Sequence, residues 1–280
     1  MRSFDLSKIK LPTAADHHQI AERAIYDHLL AEAKAHGDET RLSRLEHGFR
    51  EYYREGGDEE LHLPGLNRRT WWDARDVVDV RLLEASYRDI RDELEQVLGQ
   101  RVGFKHYDEG PLGFNPQNAG KGWNAFYLRW DCEDVERNQA RCPRTSACLR
   151  ALPNLATAAF FSALSAGTHL PAHTGSMGVV VTVHMGLVVP EGCSLRVGNE
   201  TRSWREGKCL AFQDTSEHEA RNASSRTRFN LMFDVWHPDL TPLERTFIER
   251  WTCLYGEWAR QNDESERLDQ GELDGVQWWT

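Results

Sequence analysis

The chain has 280 residues, of which 40% are hydrophobic and 28% charged, enough apolar material for one large globular core with room for a helical appendage. A net charge of -10 argues against a general nucleic-acid binder or a reader of anionic membranes, since both need basic faces, but leaves room for a small phosphorylated ligand held by a few arginines. No apolar run approaches the length of a membrane span, and Met1-Arg-Ser-Phe-Asp-Leu6 lacks the apolar core of a signal peptide, so the cytoplasm is the expected compartment.

Residues 16 to 36 read as a helix, with Asp16 as N-cap, Ile20, Ala24, Ile25 and Leu29 as its apolar positions, and Gly37 as its stop. A second helix is expected from about Thr40 to Arg54, ended by Gly56-Gly57. A third carries Leu83, Tyr87, Ile90, Leu94 and Val97 at helical spacing and ends at Gly99. On it the charged run Arg88 to Glu95 reads as a solvated face. Trp71-Trp72, after Arg68-Arg69, reads as packing at a helix start, with a substrate edge as the lesser reading. From Val102 to Gly122 the chain is rich in glycine, proline and asparagine, irregular enough for a functional loop that closes over a substrate. Gly120-Lys121-Gly122 lacks the glycine spacing and hydroxyl of a phosphate loop. Trp123 to Trp130 reads as a strand.

Six cysteines, Cys132, Cys142, Cys148, Cys193, Cys209 and Cys253, are scattered without a CxxC pair, so free thiols are expected rather than zinc ligands or disulfides. Between Ser162 and Pro238 the apolar runs Val179-Val-Val-Thr-Val183 and Leu187-Val-Val189, broken by Pro190-Glu-Gly192, read as strands and turns. Thr168-His-Leu-Pro-Ala-His-Thr-Gly175 supplies His173 as a candidate metal ligand, and Asp214-Thr-Ser-Glu-His-Glu219 supplies His218. Two imidazoles so far apart in sequence meet only if the sheet folds back on itself, as in a double-sheet jelly roll. After Asp263 the chain is an acidic tail ending in Trp278-Trp279. No internal repeat is found.

Ser162 through Arg245 resembles the catalytic domain of the aspartyl/asparaginyl β-hydroxylases. The resemblance is carried by Phe161-Ser162, Gly167-Thr-His169, His173-Thr-Gly175, His184-Met-Gly-Leu187, Pro190-Glu-Gly-Cys193, Trp204-Arg-Glu-Gly-Lys208, Glu217-His218-Glu219, Asp234-Val-Trp-His-Pro238, Leu240-Thr-Pro242 and Glu244-Arg245. Gly122-Trp123, Cys142-Pro-Arg-Thr145 and Leu152-Pro153 resemble its lead-in, whereas the first hundred residues find no match. The resemblance implies a mainly β protein, a double-stranded β-helix (jelly roll, cupin-like) with N-terminal α-helices packed around it. The expected organisation is a helical region over 1–100, the catalytic jelly roll over 101–250, and a C-terminal helix with the acidic tail over 251–280. It also implies an enzyme that uses Fe(II), 2-oxoglutarate and O2.

On that resemblance His173 and His218 hold the iron, while His169, His17, His18 and His237 read as structural or exposed. Non-haem oxygenases of this kind usually add a carboxylate two residues after the first histidine. Here that position is Gly175, which leaves a coordination place for water or for chloride. Asp214 matches an acidic residue able to hydrogen-bond such a water. Arg228 matches the guanidinium that receives the distal carboxylate of 2-oxoglutarate, because its planar fork binds a carboxylate through two bonds; Ser162 and His184 match further co-substrate contacts. Arg226 reads as a surface charge.

One departure concerns the substrate. Relatives acting on aspartyl residues carry two arginines in the strand before the His184 position, where this chain has Val180 and Thr182 as candidate substrate contacts. The expected substrate is therefore a small polar metabolite or carrier-bound intermediate rather than an aspartyl side chain, since a buried carboxylate without its cations is badly solvated. Hydroxylation is the leading reaction, chlorination of a small molecule such as a nucleotide the alternative, and a non-catalytic jelly roll a third. The sequence carries no signal for oligomeric state.

Overall fold

A computed structural model describes residues 6–12, 17–36, 42–54, 60–100, 104–106 and 122–262. The helices are α1 (His18–Ala35), α2 (Ser43–Tyr52), α3 (Ala74–Val77), α4 (Arg81–Ala85), α5 (Tyr87–Gln100), α6 (Glu136–Gln139), α7 (Pro143–Arg150) and α8 (Pro242–Asn262). The strands are β1 (Trp71–Trp72), β2 (Lys105–His106), β3 (Trp123–Trp130), β4 (Glu133–Asp134), β5 (Leu155–Leu164), β6 (His169–His173), β7 (Val180–Val188), β8 (Cys193–Val197), β9 (Glu200–Arg202), β10 (Cys209–Phe212), β11 (His218–Asn222) and β12 (Arg228–Trp236).

The strands build two sheets. The larger runs β1-β10-β7-β12-β5-β3-β2, with β4 paired to β3; the smaller runs β6-β11-β8-β9. Every ladder is antiparallel, and consecutive strands alternate between the sheets, β5 to β6, β6 to β7, β7 to β8. That alternation is the signature of the expected jelly roll, in which two sheets close over each other.

Period-two patterning decides what each face of the larger sheet covers. On β7, Val181, Val183, Met185 and Leu187 belong to a core with Leu83, Ile90, Leu94 and Val97 from α4 and α5. Thr182 and His184 therefore point to the opposite face, into the barrel. On β12 the same alternation sends Phe229, Leu231, Phe233 and Val235 to the helical side. Arg228, Asn230, Met232 and Asp234 are left facing inward.

A second core joins one end of the barrel to α1, α2 and α8. Ala21, Ile25 and Leu29 fall on one stripe of α1, and Ile248, Trp251, Tyr255 and Trp258 on one stripe of α8, the spacing that keeps side chains on one helical face. Tyr26 stacks on Phe49 at 4.5 Å between ring centres, and Phe49 meets Trp251 edge-on at 5.0 Å. Arg44 of α2 pairs with the buried Glu244, which also accepts from Thr241 N at 2.9 Å and so caps α8. Arg245 donates to Pro153 O at 2.7 Å. The Glu244-Arg245 motif thus ties helices to the barrel.

Several expectations need correction. The third helix is two, α4 and α5, with Ser86 closing the first by bonding Leu82 O and Leu83 O. Within the run read as solvated, Glu93 is 5% exposed. Its carboxylate accepts from Arg144 N at 2.8 Å, Thr145 N at 2.9 Å and Thr145 Oγ1 at 2.7 Å, capping the N-terminus of α7 from another helix. Trp71-Trp72 starts no helix: it forms β1 and pairs with Phe212 and Ala211 of β10. The larger sheet thus draws on the expected helical region, and α8 runs across the boundary placed at residue 250.

All six cysteines are free. Among the described residues no helix is long and apolar enough to cross a membrane. Asp16, Gly37, Gly56-Gly57, nearly all of the 102 to 122 loop and the tail from Asp263 to Thr280 lie outside the described residues, and the expected closure of that loop over a substrate lies there with them.

Candidate active site

His173 ends β6 and His218 begins β11, and the register places them directly opposite each other in the smaller sheet. The cross-strand pairing brings the imidazole centres to 4.1 Å. Immediately after His218 the ladder shifts register, an irregularity of the kind that re-aims side chains. His173 Nδ1 bonds Pro171 O at 2.7 Å and His218 Nδ1 bonds Ser216 O at 2.9 Å. A carbonyl only accepts, so both protons sit on Nδ1 and both Nε2 atoms carry lone pairs. Burial lowers the pKa of each ring, that of His218 to about 3 with His173 as the second cause. Both are neutral at physiological pH, the form that binds a metal.

Gly175 is required by what sits beside it. A Cβ there would lie 2.2 Å from Asp214 Oδ2 and 2.8 Å from Oδ1, far inside contact distance. Gly175 N also donates to Asp214 O at 2.9 Å, which locks the two loops together. The Asp214 carboxylate therefore occupies the space that a side chain at 175 would take. Its Oδ1 is buried without a hydrogen-bond partner. Burial first, then Asp234 and Glu60, pushes its pKa up to about 8.

Beside the histidine pair, across Phe212, lies a cationic pocket. Arg228, 2% exposed, donates from Nη1 to Ser162 Oγ at 3.2 Å, and Ser162 Oγ also accepts from Trp123 Nε1 at 3.0 Å. The guanidinium lies over the Trp204 ring at 4.7 Å, and Trp204 Nε1 donates to His184 Nδ1 at 3.2 Å. Burial lowers the Arg228 pKa to about 10, so it stays charged, and drives His184 well below its usual range. Arg228 Nε and His184 Nε2 are buried with no protein partner. Unmet donors on a buried cation are what an anionic ligand would satisfy.

Most of the residues singled out in the sequence thus fall in two groups. His173, His218, Gly175 and Asp214 meet at one site; Ser162, His184 and Arg228 meet at the pocket beside it. Phe212 links the two, 5.0 Å from His184 and 5.2 Å from His218 between ring centres. Thr182 faces the interior and donates to Asp234 Oδ1 at 2.7 Å. Val180 is 2% exposed and packs in the core shared with Trp236 and the helices. His169 pairs with Glu219 at 2.8 Å on the surface, and His237 bonds Asn67 O at 3.0 Å. Trp204, Trp123 and Asp234 were missed as site residues, although all three stood inside quoted motifs; only their neighbours across the barrel show what they do.

The donors fit a metal and a 2-oxo acid. Two neutral imidazoles 4.1 Å apart, each with an unprotonated Nε2, suit iron(II), and the buried arginine beside them suits a distal carboxylate. Among the described residues no group of three or more histidine, cysteine or carboxylate side chains forms a cage.

The family model of the aspartyl/asparaginyl β-hydroxylases matches residues 84–238. The mouse aspartyl/asparaginyl β-hydroxylase is 36% identical over 196 residues, 66% of this chain and 25% of its own length. An ornithine lipid ester-linked acyl 2-hydroxylase of Rhizobium tropici is 36% identical over 163 residues, covering 57% of this chain and 58% of that protein. The mouse aspartate β-hydroxylase domain-containing protein 2 is 30% identical over 253 residues, 83% of this chain and 71% of its own. This chain therefore spans about a quarter of the first of these relatives.

Proposed function

Because the chain belongs to the aspartyl/asparaginyl β-hydroxylase family, we propose that it is an Fe(II)- and 2-oxoglutarate-dependent oxygenase that hydroxylates a C–H bond of a small polar or carrier-bound molecule. When bound, iron and 2-oxoglutarate supply oxygen activation and removal of the substrate hydrogen. The chain supplies position and charge. His173 and His218 would hold the metal through Nε2, with their Nδ1 protons fixed by Pro171 O and Ser216 O. Arg228 and Ser162 would hold the distal carboxylate of the co-substrate, with Trp204 keeping the guanidinium in place. Phe212, packed against both His184 and His218, excludes water from the space between them.

The observation that favours hydroxylation over chlorination is the Asp214 carboxylate against Gly175. A halide needs space and positive potential where the usual carboxylate is missing. Here that space is filled by the Asp214 carboxyl group, which leaves a halide little room and can hydrogen-bond a water. The relatives' names span aspartyl and asparaginyl residues and the acyl chain of an ornithine lipid, so family alone leaves the substrate open.

The test is turnover with iron(II), 2-oxoglutarate and oxygen in chloride buffer, offered pooled amino acids, aspartyl peptides, nucleosides and nucleotides, with products read by high-resolution mass spectrometry. A product heavier by one oxygen, lost in His173→Ala, is expected. A product carrying the chlorine isotope pair would overturn hydroxylation.

A further inference from the structure

We infer that the substrate presents a positively charged group, an ammonium or comparable cation, to Asp234 on the inner face of the barrel; this rests on the oxygenase reading above.

Asp234 projects inward from β12 directly opposite Thr182 of β7. Where it sits, the register of β12 against β5 slips between Phe233 and Val235, an irregularity that turns the side chain out of the regular ladder. Thr182 Oγ1 donates to Oδ1 at 2.7 Å. Threonine brings no charge, and among the described residues neither Asp234 nor Asp214 forms an ion pair. The neighbouring Asp214 has its Oδ1 buried without a hydrogen-bond partner, the mark of a site lacking a component. Glu60, the third carboxylate nearby, is already served by Arg68 at 2.6 Å. Burial raises Asp234 to about 6, with Thr182 alone opposing it, and Asp234 in turn raises Asp214. Two partly buried carboxyl groups with no cation beside them are costly to ionise unless something supplies the charge.

The neighbouring side chains do not supply it. Arg228 is the cation of the pocket, and it stands with Ser162 and Trp204. Asp234 is left over, and the substrate is the component that remains to balance it. Met232, Phe160 and Tyr127 lie in adjoining register on the same inward face.

The test uses the full chain with manganese(II) and 2-oxoglutarate and no oxygen, so that nothing turns over. Butylammonium, 1-butanol and butyrate are added separately, and the broadening of their proton resonances by the manganese is read. The expected result is broadening of butylammonium about tenfold stronger than of the alcohol, the margin of a charge-assisted over a neutral hydrogen bond, with butyrate weakest. Asp234→Asn, which can still accept from Thr182, is expected to erase the preference while manganese binding stays; Thr182→Arg is expected to exclude butylammonium by taking Asp234 itself. Circular dichroism melts establish that both variants fold. Equal broadening of ammonium and alcohol, or preference for butyrate, with manganese still bound through His173, overturns the cation and leaves the oxygenase reading standing. Absence of His173-dependent manganese binding would remove that reading and this inference with it.

Discussion

The two ends of the barrel interior answer burial of charge in opposite ways. Around Arg228 the charge is positive and its protein partners are neutral: Ser162 bonds the guanidinium, Trp204 lies over it, and Trp123 bonds Ser162 in turn, while Arg228 Nε and His184 Nε2 stay open. Around Asp234 and Asp214 the charge is negative, and Thr182 is the side chain that meets it. The histidine pair stands between them. The cationic end is prepared for an anion of fixed identity, whereas the anionic end is left incomplete until a substrate arrives. On the oxygenase reading proposed above, the cationic end would take the co-substrate and the anionic end would carry the selectivity.

The largest effect should come from removing the centre that separates the two ends. His173→Ala or His218→Ala is expected to cut manganese(II) affinity and turnover by well over the roughly 10–100-fold that losing a group behind a ligand costs. Isothermal titration with manganese checks it; unchanged affinity would place the metal elsewhere. Next comes the cationic end alone. Arg228→Ala leaves its anion without a partner in a buried site, at a cost of about 3 kcal/mol, or more than a hundredfold in KM for 2-oxoglutarate. Metal affinity should stay within a few-fold, and a parallel loss of both would show that the two ends are not separable. Gly175→Ala should act less strongly, by driving its methyl into the Asp214 carboxylate. About a tenfold loss of activity is expected, and adding Asp214→Ala in the same chain should restore metal binding by making room. A single variant as active as the parent would mean that the carboxylate swings away without consequence.

How much of this was legible in the sequence depends on whether a residue acts through its own type or through what faces it. His173, His218 and Arg228 could be named because they stand at the positions the family resemblance marks, and two imidazoles so far apart in sequence meet only if the sheet doubles back. Gly175 could be found as an absence, but not that Asp214 fills the space, because that contact joins two loops separated by the whole of β7 to β10. Val180 and Thr182 looked equivalent in sequence, two positions apart on one face. Only the core under α1, α2 and α8 shows that Val180 packs while Thr182 stays at the site. Glu93 misled for the same reason: a charged run on a helix reads as solvated unless the partner, here the N-terminus of α7, is known.

The smallest effect concerns the anionic end without any ligand. Burial raises the Asp234 carboxyl from 3.8 to about 6, so the folded chain holds a proton there at pH values where the unfolded chain has released it. Between about pH 4 and pH 6 the folded state binds more protons than the unfolded one, and stability from this group falls as pH rises through that window, then levels off above it. Asp234→Asn removes the ionisation and keeps an oxygen for Thr182. The variant is therefore expected to melt higher than the parent at pH 7.5, by on the order of 1 kcal/mol because the side chain is only half-buried, and to match it near pH 4. Melting curves of both chains across that range check it. A parent that gains stability from pH 4 to pH 6 relative to the asparagine variant would mean that Asp234 already has its cation within the protein, and the contrast between the two ends of the barrel would fail at its weaker side.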